Sequence, residues 1–389
     1  MTTPCVPDPQ SLRVLVIGHF RFRAGTGAGG ATLLLVEALR ERGHVVDVFD
    51  EASARRDRPA GRLHQLSFAR AAARHVRAVG NEYDVVDAHL GCLTAPKARL
   101  GLRGVLSTYS QGYPRFHRDT LRGLAARHPT LLPGTRSGRL VAHVVQDAVV
   151  RAAARSLALA DLVRVQTEDE RQMAIAERPE ARVVVTPNGL TVERARALAS
   201  VHAVVRASAG GPPVVVSVGA WQLGKGRADW PSIVRETRAL RPDVRFRLLG
   251  TGGSRDDILA EFGDASEAVD VVEHFDPDML PELLSNAVVG VHASYTEGLP
   301  VGVLEMTAAG IPVVAYDAPG ARAILSGAPV NLLVRPDPGA VAIRVADLVC
   351  GTADALERWC VQRASAFDVR RVAADVETAY LLARAECVT

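Results

Sequence analysis

Short apolar runs alternate along this chain with glycine-rich turns and longer amphipathic stretches, a pattern that predicts parallel strands crossed over by helices. Residues 13–18 (Arg-Val-Leu-Val-Ile-Gly) read as a first strand, 25–30 as a glycine-rich loop, 31–40 as a helix and 44–49 as a second strand. Further apolar runs at 83–88, 105–109, 162–166 and 183–186 extend this βαβ start into one doubly wound domain. Residues 201–213 close on Ser-Ala-Gly-Gly-Pro-Pro and read as an interdomain linker. A second series of strands follows at 214–218, 246–249, 269–272, 288–293 and 313–316, and residues 368–385 read as one amphipathic helix. The expected architecture is α/β, with two parallel-sheet domains whose carboxyl edges face a common cleft.

The most informative local pattern is Glu297-Gly-Leu-Pro-Val-Gly-Val-Leu-Glu305. It lies between an apolar strand at 287–294 and another at 311–316, with Pro300 suited to the first helical position and Gly310 to the helix end. Glu297 then occupies a loop at the carboxyl end of a parallel strand, and Glu305 lies farther along the helix. Between the two carboxylates, the unpaired N–H groups of the helix start form an anion site.

Composition narrows the partners. A chain of 389 residues, 48% hydrophobic and with a formal charge of +3, supports two full cores and offers no broad basic face for nucleic acid. No apolar run approaches the ~20 residues of a membrane span, and the N-terminus lacks the basic start and apolar core of a signal peptide, so the cytoplasm is expected. Cys5, Cys92, Cys350, Cys360 and Cys387 are scattered without a C-x-x-C pair; they read as free thiols, with neither a disulfide framework nor a zinc site indicated.

Two more stretches are compatible with an anion. In Gly25-Thr-Gly-Ala-Gly-Gly30, glycines Gly25, Gly27 and Gly30 match the G-x-G-x-x-G spacing, with Gly29 additional. A tight turn fits the same loop, and with Asp47 or Asp50 as the acidic partner so does a dinucleotide enzyme. In Gly219-Ala-Trp-Gln-Leu-Gly-Lys-Gly226, one of only two lysines follows a strand, where its ammonium can meet a phosphate as a compact point charge.

Taken in order, the glycine loop, Asn188-Gly189, Lys225-Gly226 and the two-glutamate motif, with its flanking Ser294-Tyr-Thr and Met306-Thr-Ala-Ala-Gly-Ile-Pro-Val-Val-Ala315, resemble a retaining family-4 glycosyltransferase of GT-B fold. The resemblance implies a Rossmann-like acceptor-binding domain over residues 1–205, a nucleotide-sugar-binding domain over 206–366, and a C-terminal segment, 367–389, crossing back to the first domain. It implies Lys225 and Glu297 as the catalytic pair. Around them the donor would meet Gly29, Gly30, Arg227, His274, Gly298, Leu299, Val301 and Glu305, with Glu297 toward the sugar, Glu305 on the ribose and residues 272–275 against the base. The implied co-substrate is a nucleotide-diphosphate sugar, a UDP-sugar first, and the acceptor is a hydroxyl. No metal ion or other cofactor is implied, and a homodimer is allowed.

Departures from the family pattern matter as well. The arginine common before the lysine is replaced by Ala220-Trp221, leaving Arg227 as a substitute or Lys225 as a single cation. Gln111 stands where an acceptor-side histidine is common, which makes His89 a candidate for that role, and Ala318-Pro-Gly-Ala-Arg322 lacks the family's glutamate. A high-GC-like composition suits an acceptor that is a small secondary metabolite, such as an aminocyclitol or antibiotic precursor. Cell-wall, lipid and polysaccharide acceptors fit equally, and a GT-B-fold epimerase, a dinucleotide oxidoreductase and a non-catalytic sugar-nucleotide binder are the rival classes.

Overall fold

The structure is a computed structural model that describes residues 11–25, 27–55, 64–131, 136–208, 211–351 and 354–388. Cys5, the N-terminal stretch read for a signal peptide, Thr26 of the glycine loop and residues 209–210 of the expected linker lie outside them.

Two six-stranded sheets form, both wholly parallel in their pairings. The first has the order β2-β1-β3-β4-β5-β6, from β1 (Arg13–Ile17), β2 (Val45–Phe49), β3 (Val85–His89), β4 (Val105–Tyr109), β5 (Leu162–Val165) and β6 (Val183–Val185). The second has the order β12-β11-β10-β7-β8-β9, from β7 (Val214–Val218), β8 (Arg245–Leu249), β9 (Val269–Val272), β10 (Ala287–His292), β11 (Val313–Tyr316) and β12 (Leu333–Val334). Helices cover both faces, so the central strands are valine-rich and buried throughout rather than alternating. This is the GT-B arrangement of two Rossmann-like domains. Strand β12, only two residues long, carries too little periodicity to be predicted.

The first sheet also buries a charged network. Asp87 on β3 accepts hydrogen bonds from Arg164 on β5 at 2.6 Å and from the Tyr380 hydroxyl at 2.8 Å. Tyr380 belongs to the last helix, Val369–Val388, whose Val369, Val372, Ala373, Val376, Ala379, Tyr380 and Ala383 follow a helical period into the core formed by β1 and helix Gly27–Glu41. The chain's end is thereby packed on the first domain.

The expected linker needs correction. Residues 201–208 continue a helix, Val192–Ser208, whose Leu198 packs in the second domain's core together with Leu190. The chain actually changes domain near residue 189. There Leu190 N donates to Phe367 O at 2.9 Å, and Val369 N donates to Leu190 O at 3.0 Å, so the outgoing and returning connections lie side by side. A Cβ at Gly189 would stand 2.8 Å from the Phe367 carbonyl and the Val369 backbone, and only glycine permits that approach.

Candidate functional site

A cleft of about 1610 Å³ opens between the carboxyl edges of the two sheets. From the first domain, Gly30, His89 and Gln111 line it; from the second, Lys225, His274, Gly298, Leu299, Val301, Glu297 and Glu305 do. Two expected donor residues do not. Gly29 is buried within helix Gly27–Glu41, and Arg227 is turned away onto Glu261, to which its Nε donates at 3.1 and 3.0 Å. Trp221 Nε1 donates to the same carboxylate at 3.0 Å, so Arg227 is neutralised in a pairing within its own domain. Asp47 and Asp50, which a dinucleotide reading needs, are likewise engaged elsewhere, accepting from the Tyr83 hydroxyl and from Ser53.

Lys225 and Glu297 are 72 positions apart in sequence and form an ion pair. The loop Leu223–Lys225 is strapped to the end of β10: Gly224 O accepts from Tyr295 N at 2.9 Å and from Ser294 Oγ at 3.1 Å. Gly226, at φ +83°, comes so close to Ala293 that a Cβ would stand 2.3 Å from its carbonyl oxygen. Below the loop, Asp229 accepts from the Tyr295 and Tyr316 hydroxyls, each at 2.7 Å. Ser294 Oγ also lies 3.1 Å from Glu297 Oε1, an alternative acceptor for its one proton, and His292 Nε2 lies 3.6 Å from the same carboxylate.

Electrostatics follow from this packing. Burial alone would raise the Glu297 carboxyl, but the Lys225 ammonium, His292 and the hydrogen bonds from Lys225 and Ser294 hold it below the ordinary carboxylate range. Burial pushes His292 down to about 4, with Glu297 pulling it up and Lys225 pushing it further down. The imidazole is therefore neutral at pH 7, beside a charged pair.

Helix Val301–Ala308 begins after Pro300, which stands at the cap rather than at the first helical position as the sequence suggests. Its ψ of 108° is extended, and a helix can begin only after it. The first N–H groups of such a helix have no partner within it, and Val301 and Gly302 face the cleft. One turn on, Glu305 meets Arg194 of helix Val192–Ser208, whose Nη2 and Nε donate to Oε1 at 3.0 and 3.3 Å. Burial raises the Glu305 carboxyl, and Arg194 only partly opposes it. Arg194 has no signal in the sequence; only packing of its helix on the second domain brings it here.

The first domain approaches through backbone. A Cβ at Gly25 would stand 2.1 Å from the Pro277 side chain, and one at Gly298 would stand 2.8 Å from the Gln111–Gly112 peptide. Gln111 makes a reciprocal pair with Asn188, each side-chain amide donating to the other's oxygen at 3.2 Å, and Asn188 Nδ2 also donates to Leu299 O at 3.2 Å. His89 is buried, with its Nδ1 3.1 Å from Leu90 O. A further imidazole escaped sequence reading: His117, on helix Pro114–Arg127, lines the cleft within the fields of Glu297 and Lys225. Among the described residues, His19, His89 and Cys92 come together at this rim. No helix among them is long and apolar enough to cross a membrane, and Cys92, Cys350, Cys360 and Cys387 are free thiols.

Solved structures place this geometry in a known class of fold. The chain superposes on a sucrose-phosphate synthase from Thermosynechococcus elongatus with a TM-score of 0.72 at 16% identity, covering 95% of this chain and 98% of that one. An α,α-trehalose 6-phosphate synthase from Burkholderia multivorans gives 0.69 at 16% identity, covering 98% and 100%. An Anabaena protein in complex with UDP and glucose gives 0.58 at 18% identity, covering 94% and 98%. At such identities the likeness is one of fold, GT-B. In sequence, residues 212–350 match the family model described as Glycosyl transferases group 1, so the second domain carries a glycosyltransferase group 1 domain. No curated protein sequence matches the chain.

Proposed function

We propose that the protein is a retaining glycosyltransferase, similar to family 4, that moves a sugar from a nucleoside-diphosphate sugar, a UDP-sugar first, to an acceptor hydroxyl. The observation that carries this reading is the Lys225–Glu297 pair beside the open start of helix Val301–Ala308, in a cleft between two GT-B domains. Breaking the anomeric C–O bond builds negative charge on the departing diphosphate. A fixed ammonium and unpaired N–H dipoles aimed at that charge are the largest rate term such a site can supply. With Arg227 held by Glu261, Lys225 is the single clamp cation. Glu297 faces hydroxyls of the transferred sugar, and Glu305 accepts from the ribose. Both Arg194 bonds fall on Oε1 of Glu305, which leaves Oε2 for a ribose hydroxyl. Residues 273–275 flank the base.

Same-face attack, with the diphosphate itself taking the acceptor proton, accounts for retention without a protein nucleophile. The acceptor side is lined by Leu121, Ala125 and Val149 together with Arg122, His117 and Gln146, a mixed surface that suits a small hydroxylated secondary metabolite. A cell-surface glycan or lipid acceptor is the alternative. Incubation with a panel of nucleotide sugars, following nucleoside diphosphate release with and without acceptors, tests the whole reading. If no nucleotide sugar raises the melting temperature, the reading is wrong.

A further inference from the structure

Three side chains on the first domain's rim of the cleft take no part in holding the donor. His19 follows β1, His89 ends β3 and Cys92 lies just beyond it, and the parallel pairing of β1 with β3 brings all three to one sheet edge. One ligand atom from each lies within 4.8 Å of those of the other two. Cys92 Sγ stands 3.8 Å from His19 Nδ1. For Zn–S of about 2.3 Å and Zn–N of about 2.05 Å at a tetrahedral angle, the S···N separation is about 3.5 Å. The observed spacing is within a few tenths of an ångström of that.

The surroundings hold these groups as a ligand shell would. The His89 Nδ1 contact to Leu90 O at 3.1 Å makes Nδ1 the donating nitrogen of the neutral ring and leaves the lone pair on Nε2, an orientation that ligating histidines commonly receive from a backbone carbonyl. The Phe20 ring packs edge-on against both His19 and His89, at 5.2 and 5.3 Å between centroids, and Tyr109 braces His89 from another side at 5.3 Å. All three residues line the cleft. A nitrogen–nitrogen–sulfur set disfavours magnesium and calcium, which take oxygen, and suits a borderline-soft ion.

We propose that His19, His89 and Cys92 form a zinc-type divalent-cation site, open at its fourth position to water or an acceptor hydroxyl. On binding, the Cys92 thiol releases its proton to solvent and ligates as thiolate. The site is independent of the donor reading, because none of its ligands touches Lys225, Glu297 or Glu305 in the contacts described above.

Titrating the chelator-treated full-length protein with Co²⁺ provides a readout that needs no turnover. The expected result is one ion per chain, with the visible ligand-field bands of tetrahedral Co²⁺ and a near-ultraviolet thiolate-to-cobalt band, both removed by one equivalent of Zn²⁺. Cys92→Ser should abolish the thiolate band, and His89→Gln should weaken binding at least about tenfold, while Cys350→Ser at the exposed thiol changes neither. If Cys92→Ser fails to fold, His19→Gln tests the same point from the loop after β1. Absence of a thiolate band in the wild-type protein, or identical cobalt spectra and affinities in the ligand variants, would overturn the assignment.

Discussion

On the second domain's wall the cleft carries full charges in set positions, Lys225, Glu297, Glu305 and Arg194, whereas the part of the first domain that meets them offers glycine backbone, a Gln111–Asn188 amide pair and buried rings, with Arg122 and Arg139 lining the cleft from its helices. The charged wall is built on short, rigid supports: the Lys225 loop is strapped to the end of β10, and Glu297 lies against Ser294 of the same strand-end loop. The other wall works by close approach, with Gly25 against Pro277 and Gly112 against Gly298. Ligand charge needs positions that do not yield, while contact between two domains needs small residues that let backbone meet backbone. The two walls therefore differ in which substitutions they tolerate.

The comparison breaks most sharply at Lys225. Lys225→Ala removes the single cation proposed for the leaving diphosphate, and turnover should fall by about 10²–10³-fold. The lysine side chain is 34% exposed, so the pair's contribution to stability should be about 1 kcal/mol or less, and the melting temperature should move little. With the ammonium gone, the His292 pKa should rise, since Lys225 is one of the charges pushing it down. Steady-state kinetics with a calorimetric scan checks both halves; near-normal turnover in a folded variant would mean that the charged wall is not the donor's.

Next in size is the neutral imidazole on which that wall rests. Burial holds His292 near 4, below the ordinary 6.5, so between those values the unfolded chain binds a proton that the folded one refuses. Stability should therefore fall as pH drops from 6.5 toward 4 and lose no more from this group below that. His292→Asn should remove up to about 3 kcal/mol of that decline. Urea unfolding of both proteins at neutral and acid pH reads the difference; parallel curves would show that His292 does not carry it.

Glu305 tests ligand binding rather than chemistry. Glu305→Gln keeps the shape but removes the charge that accepts from Arg194 and is proposed to accept from ribose, and should weaken nucleoside diphosphate binding by about 10–100-fold, the value of a charged hydrogen bond, with kcat changed much less. Isothermal titration with nucleoside diphosphates measures it. Equal losses in kcat and affinity would place Glu305 nearer the reacting bond than the ribose.

How much of this was legible in sequence divides along the same line as the two walls. The βα alternation, the carboxylate pair around residues 297–305 and the glycine-flanked lysine at 225 are local patterns, and each lies where periodicity and turn chemistry put it. What escaped depends on contacts remote in sequence. Arg227 sits two residues from Lys225, yet Glu261, on another helix, captures it. Arg194 reaches Glu305 over 111 positions because Leu198 buries its helix in the second domain. Residues 201–208 run into a glycine-proline tail, yet they continue helix Val192–Ser208. His19, His89 and Cys92 have no metal-like spacing; a parallel strand pairing alone assembles them.

The smallest expected effect lies on the backbone-built wall. Gln111 stands where a histidine is common in the family the motifs resemble, yet here its amide spends both ends on Asn188, which in turn holds the Leu299 carbonyl across the cleft. Gln111→Ala removes a neutral, half-buried pair of hydrogen bonds and should cost about 1 kcal/mol of stability. If the residue only ties the walls together, kcat should change by no more than a few-fold and the donor KM should hold, since Lys225, Glu297 and Glu305 keep their supports. If it also touches the acceptor, the acceptor KM should rise while the donor KM does not. A loss as large as that of Lys225→Ala would instead put reacting atoms against the first domain's amides, and the division between a charged, catalytic wall and a close-packed, positioning one would fail at this residue.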